Sequence, residues 1–245
     1  MKTASSKNPY HILIPTPFEA SFLMDEASIS NLLNPAAPIN TICYPQYAFR
    51  YGIVGFGLAA AGSGASRSLT NKLYFEVETA PAILIGIAGT YQPEKYPVGS
   101  VVCASSVECV GIGVGSGAEY QSAGEMGWAQ GIPFKGAPEV SDIIEAVRPK
   151  TLTLPTGKFL SVTSASSNLE EARLRASEFP DAAGEEMEGF SVGLACRNLN
   201  RPFAMIRGIS NIAGDRDKAH WKIKEALSAV NKALFQMIED FLEEA

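Results

Sequence analysis

The sequence predicts an α/β fold in one domain, and three observations predict it. The chain has 245 residues, 46% apolar and 19% charged, the size and composition of a domain that buries a substantial core. Short aliphatic or β-branched runs alternate with stretches of helical periodicity. Several of those runs end at glycine or at a polar cluster, where α/β sheets hold ligands beyond the carboxyl ends of their strands.

Residues 1–9 are polar and expected to be flexible, and Tyr10 to Pro15 reads as the first strand, with His11 in a structural role inside it. Phe18 to Leu33 follows Pro15 and Pro17 and repeats Phe18, Phe22, Ile29 and Leu32 or Leu33 at helical spacing. Phe49 to Gly55 is the next strand, and Gly55-Phe56-Gly57-Leu58-Ala59-Ala60 opens a helix. Strands are expected at Ala82 to Gly86, Ser100 to Val107 and Lys158 to Thr163. Gly111-Ile112-Gly113-Val114-Gly115-Ser116-Gly117, with glycine at every second position, reads as a flexible surface loop. Ser167-Asn168-Leu169-Glu170 is a capping box for a helix that stops before Pro180. An apolar helix carries Phe190, Val192, Leu194 and Ala195, and Phe203 to Ile209 is a buried strand. The last helix runs from about Asp217 to Leu242, with Ile223, Leu227, Val230, Leu234, Ile238 and Phe241 on one stripe. No repeat or linker divides the chain.

Composition excludes several functions. Lys and Arg number 20 against 26 Asp and Glu, a net charge of −6 without a basic run, so neither nucleic acid nor a membrane surface is an expected partner. The four cysteines form no CxxC pair, no signal peptide is evident, and no apolar run nears the ~20 residues of a membrane span. A cytoplasmic chain with reduced thiols is expected. Two histidines, His11 and His220, argue against a zinc centre, and no other metal spacing occurs. Gly208-Ile209-Ser210-Asn211-Ile212 lacks the second glycine of a nucleophile elbow. The G-x-G-x-x-A at Gly55 lacks its acidic residue after the next strand, since Glu76 and Glu78 precede that strand, and no P-loop occurs. No cofactor is expected. Trp128 and Trp221 are assigned to core or interface packing rather than to stacking on a ligand.

Three separated segments carry chemistry. Pro15-Thr16-Pro17-Phe18-Glu19 puts a carboxylate in the opening turn of a helix, a position acids favour on electrostatic grounds alone. Gly184-Glu185-Glu186-Met187-Glu188-Gly189-Phe190 brings three acids to the entry of an apolar helix, and a solvated first turn accounts for Glu185 and Glu186. Glu188, next to the glycine where the pattern turns apolar, suits a hydrogen bond to a sugar diol. The strand from Phe203 ends in Arg207, Ser210 and Asn211 before Gly214-Asp215-Arg216-Asp217, a tail that an Asx turn and a helix cap also explain.

E-M-E-G before an apolar helix, then P-F-x-x-I-R-x-I-S-N, resembles the purine nucleoside phosphorylase and nucleosidase superfamily, in particular its methylthioadenosine/S-adenosylhomocysteine nucleosidase branch. The fuller string R-G-I-S-N-I-A-G-D-R-D-K-A-H-W-K-I-K-E-A-L is closer still to the futalosine hydrolases of menaquinone biosynthesis. The resemblance implies a three-layer α/β/α domain around a central twisted mixed sheet, and a nucleoside as the small-molecule partner. It implies Glu19 as the base for the attacking water, ionised at the positive end of its helix. Glu188 would bind the ribose hydroxyls with Met187 beside it, and Ile87, Ala88 and Gly89 would form a loop reaching ribose and base through its backbone. Phe159 and Leu160 fall where the family stacks an aromatic on the purine and meets its edge. Arg207 and Ser210 match groups that position the water and the purine-side network. A homo-oligomer, dimer or larger, follows from the resemblance.

Asn211 departs from the adenine-specific enzymes, which carry Asp there. An amide donates to N7 or O6 of a 6-oxopurine but gives up no proton, which favours a substrate such as futalosine. The superfamily's phosphorylases place Arg after the first strand and near the third, where this chain has Pro15-Thr16-Pro17 and Ala88-Gly89-Thr90, so water is the expected nucleophile. The alternatives are a methylthioadenosine/S-adenosylhomocysteine or aminodeoxyfutalosine nucleosidase, a nucleoside phosphorylase, and a regulatory protein that binds a nucleoside without turnover.

Overall fold

The computed structural model describes residues 10–34, 41–43, 48–70, 80–115, 117–128, 130 and 142–244. The expectations for residues 1–9, Glu76 and Glu78 lie outside them. In chain order the strands are β1 (Tyr10–Ile14), β2 (Thr41–Cys43), β3 (Ala48–Ile53), β4 (Ala82–Thr90), β5 (Val101–Val110), β6 (Gly113–Val114), β7 (Gln121–Ser122), β8 (Ile143–Glu145), β9 (Thr156–Val162), β10 (Ala182–Glu186) and β11 (Phe203–Ile212). The helices are α1 (Pro17–Ala20), α2 (Glu26–Leu33), α3 (Gly57–Leu69), α4 (Leu169–Glu178), α5 (Gly189–Asn198) and α6 (Ile223–Glu243).

The main sheet is mixed and runs β10-β9-β5-β11-β4-β1-β3-β2, with β8 on β5. It also curls until β10 pairs antiparallel with β4, Gly184 opposite Thr90 and Glu185 opposite Gly89, so β4, β10, β9, β5 and β11 close on themselves. Closure needs close backbone approach at Gly184, where a Cβ would lie 2.1 Å from the Gly89 carbonyl oxygen. Successive residues of β1, β4 and β11 face opposite layers, as the period of two requires. Leu13, Leu84 and Met205 pack with Ala61 and Ala65 of α3 and Phe190 of α5, whereas Ile12, Ile83 and Ile206 pack with Val230, Leu234 and Ile238 of α6. The expected three-layer arrangement is therefore present.

Several boundaries differ from expectation. The helix expected over 18–33 is two helices, because Asp25 caps the second by accepting a hydrogen bond from Ser28 N. The capping box sits one residue later than expected, with Asn168 as cap and Glu171 returning to the Ser167 N–H and hydroxyl. The last helix begins at Ile223, after a short 3-10 turn at Lys218–His220 capped by Asp217. Part of the glycine-rich loop is an exposed ribbon, β6 on β7. Ile87, Ala88 and Gly89 lie within strand β4 rather than in a loop after it. Trp128 is exposed, and neither tryptophan is in the core. Among the described residues no helix is long and apolar enough to cross a membrane.

Candidate active site

The parallel strands β1, β3, β4 and β11 deliver their carboxyl ends to one side, and a cleft of about 270 Å³ opens there. Glu19, Ile87, Ala88, Gly89, Met187, Glu188, Ser210 and Asn211 all line it, so most of the residues expected at the site meet in one place. Phe159 and Leu160 do not. Both belong to β9 and are fully buried in separate apolar clusters, so Phe159 is a core residue and no stacking surface.

Glu19 owes its place to a reciprocal cap. Thr16 Oγ1 accepts from Glu19 N at 3.2 Å and donates to Glu19 Oε2 at 2.7 Å, while Ile87 N donates to Glu19 Oε1 at 3.1 Å. The carboxyl is buried, and burial pushes its pKa up against the pull of Thr16 and Arg207. The helix end alone thus does not settle its charge, contrary to the expectation of a simply ionised base.

Glu185 and Glu186 are not solvated. Both sit in β10 and are buried. Glu186 is the structural anchor of the site. It accepts from Glu188 N at 3.0 Å, from Gly189 N at 2.8 and 3.0 Å, from the Ser161 hydroxyl and from Arg207 Nη2. Arg207 also reaches Glu188 Oε2 at 3.2 Å, and Glu188 Oε1 accepts from Gly57 N, the first amide of α3, at 3.0 Å. The glycine-rich turn that mimics a dinucleotide motif therefore points its amide at a carboxylate. Burial raises the Glu188 pKa to about 7, with Arg207 pulling it down and Glu186 pushing it up.

Arg207 is itself fully buried and does not line the cleft, so it acts through the carboxylates rather than on a water directly. Its guanidinium passes over Gly86, where a Cβ would lie 2.2 Å from Nη1 and 2.7 Å from Glu19 Oε1. A side chain at Gly86 would displace one or both.

The register of β11 on β4 shifts between Ile209 and Asn211, a bulge at Ser210. Adjacent strand residues normally face opposite ways, and the bulge brings both Ser210 and Asn211 to the cleft. Asn211 Oδ1 accepts from the Ser210 hydroxyl at 2.7 Å and Nδ2 donates to the Ile212 carbonyl at 2.8 Å. One Nδ2 hydrogen is left for a ligand.

Sequence reasoning missed Glu186, Thr16, Phe18, Phe56, Arg216 and Trp221. Trp221, assigned to packing, lines the cleft. A T-x-x-E cap at Thr16 was the one available signal for these residues; the others come from the short helix α1, from loops and from a strand without β-branched residues.

Residues 72–243 match the model of the phosphorylase superfamily. A futalosine hydrolase of Streptomyces coelicolor (strain ATCC BAA-471 / A3(2) / M145) is 32% identical over 187 residues, which are 74% of this chain and 77% of that protein. The crystal structure of a 5′-methylthioadenosine/S-adenosylhomocysteine nucleosidase from Helicobacter pylori with butyl-thio-DADMe-Immucillin-A shares the fold, with TM-score 0.67 and 16% identity over 96% of this chain and 100% of that one. The native structure of futalosine hydrolase of Helicobacter pylori strain 26695 does so with TM-score 0.65 and 16% identity over 95% and 98%. The family model and the Streptomyces relative agree in kind with the motifs that meet at the cleft, and the chain belongs to the phosphorylase superfamily and, within it, to the futalosine hydrolases.

Proposed function

We propose that this chain hydrolyses the N-glycosidic bond of futalosine, releasing hypoxanthine and dehypoxanthine futalosine for menaquinone biosynthesis. The observation that carries the reading is an amide at Asn211, with Oδ1 taken by Ser210 and an Nδ2 hydrogen free, beside a carboxylate pair facing the same cleft. A 6-oxopurine offers acceptors at N7 and O6 to that hydrogen, whereas the amino group of adenine would have to share Oδ1 with the Ser210 hydroxyl. The C1′–N9 bond breaks as positive charge builds on the ribose. Glu188 accepts the ribose hydroxyls, Glu19 takes a proton from the water that attacks C1′, and the purine leaves with the C1′–N9 electron pair as an anion that Asn211 stabilises by hydrogen bonding and that takes its proton from solvent water. The chain is expected to work in the cytoplasm as a homo-oligomer.

Free-base release from futalosine, aminodeoxyfutalosine, methylthioadenosine and inosine, with and without phosphate, tests the reading. Hypoxanthine from futalosine in phosphate-free buffer is the expected result. Adenine released preferentially from methylthioadenosine would move the chain to the other nucleosidase branch, and release only with phosphate would make it a phosphorylase.

Two further outcomes are expected. Asn211→Asp should shift preference toward 6-amino substrates by about 1–3 kcal/mol, the range of one rematched polar contact; unaltered selectivity would mean another residue reads position 6. Because binding the diol needs Glu188 ionised and burial holds its pKa at about 7, kcat/KM should rise with pH through about 7. A profile already level at about pH 5 would rule out this protonation assignment.

A further inference from the structure

Arg216 is the one basic side chain, among the described residues, lining a cleft that also presents Glu19, Glu185, Glu186 and Glu188. The acids around it already have partners. Glu185 accepts from Arg175 at 2.6 Å, Tyr91 at 2.7 Å and Ser166 at 2.8 Å. Asp215, next to Arg216 in the chain, accepts from Asp217 N at 3.0 Å and pairs with His220 at 2.8 Å.

The guanidinium is also held in place. It stands 5.3 Å over the Trp221 ring, whose Nε1 donates to the Asp215 carbonyl at 3.0 Å. Lys222 N donates to the Ser210 carbonyl at 2.8 Å, which fastens this turn to the end of β11 beside Asn211. An arginine stacked on an indole keeps its planar fork available for a carboxylate and loses little further freedom on binding one.

Position along the cleft points the same way. Glu19, Glu188, Ser210 and Asn211 form a buried floor, whereas Arg216, Phe18 (56% exposed) and Phe56 (66% exposed) stand at the mouth. With base and ribose on the floor, a 5′ substituent leaves toward two exposed rings and one cation. Among the described lining residues, Arg216 offers the one opposite charge that an entering carboxylate would meet.

We infer that Arg216, held on Trp221, is the specificity subsite for a carboxylate at the far end of a flat 5′ substituent. The inference rests on the proposed nucleoside hydrolase reading of the cleft, and it makes acidic 5′ arms preferred over neutral ones. The test compares futalosine, whose 5′ arm ends in a benzoate, with its methyl ester on the wild-type chain, Arg216→Gln and Arg216→Lys. Wild type should favour the acid by about 10- to 100-fold in kcat/KM, carried mainly by KM, and Arg216→Gln should bring the ratio near one. Arg216→Lys should keep part of the preference, because it retains a point charge without the fork. An acid-to-ester ratio unchanged in Arg216→Gln, or equal losses on both substrates, would overturn the subsite. If wild type releases base from neither compound, the hydrolase reading fails, and calorimetric binding of the same pair still decides whether Arg216 selects the acid. Wild-type turnover without discrimination removes the subsite alone.

Discussion

Glu19→Gln is expected to lower kcat by about 10²–10⁴, the usual contribution of a positioned general base, while KM stays within about threefold. The amide keeps the shape of the carboxyl: its oxygen still accepts from Ile87 N, and its NH2 donates to Thr16 Oγ1 where the carboxylate accepted, so the cap and the cleft wall should persist. What is lost is the capacity to take a proton from water. Steady-state kinetics on futalosine measure this, with thermal unfolding alongside to show that the variant folds. A kcat within a few-fold of wild type would remove Glu19 from the mechanism. The pH profile adds a second constraint: burial raises the Glu19 pKa as it does that of Glu188, so both acids lose activity on the acidic side. In Glu19→Gln the remaining activity should still rise with pH through about 7, now through Glu188 alone.

What could be read from the sequence was whatever is local. β1, β4 and β11 announce themselves through aliphatic runs, and the floor residues Glu19, Glu188, Ser210 and Asn211 sit in short motifs whose residue types match their chemistry. β10 was not legible because Ala-Ala-Gly-Glu-Glu has neither the β-branched residues nor the alternation of a strand; it is one because a closed sheet offers partners on both sides. The burial of Glu185 and Glu186 follows from that closure, so two acids that look solvated in sequence are tertiary features. Phe159 failed for a related reason. An aromatic beside a ligand and an aromatic in the core have the same local signature, and only the face of β9 on which it lies separates them. The helix break at Asp25 was visible in principle, since Asp three residues before Ser28 is a cap, but the apolar spacing on either side hid it.

Arg207→Met is expected to destabilise the fold by about 3–5 kcal/mol, because it removes the cation from two buried carboxylates and leaves them facing each other. Arg207 contributes no exposed surface, and Glu186 and Glu188 are both buried beside it. In Glu186→Gln/Arg207→Met one of the two uncompensated acids is also gone, and the glutamine oxygen can still accept from Gly189 N. Denaturant unfolding should therefore show the double variant more stable than Arg207→Met alone; strictly additive costs would mean that the pair is not energetically coupled. Stability alone would not separate a scaffold from a positioning role, and the pH profile does. Arg207 draws the Glu188 pKa down. Without it, the rise of kcat/KM should move above pH 7, with the missing rate recovered at higher pH as Glu188 ionises. A variant destabilised but with its midpoint unmoved would reduce Arg207 to a structural strut, whereas the displaced midpoint makes it the residue that keeps the ribose-binding carboxylate ionised at neutral pH.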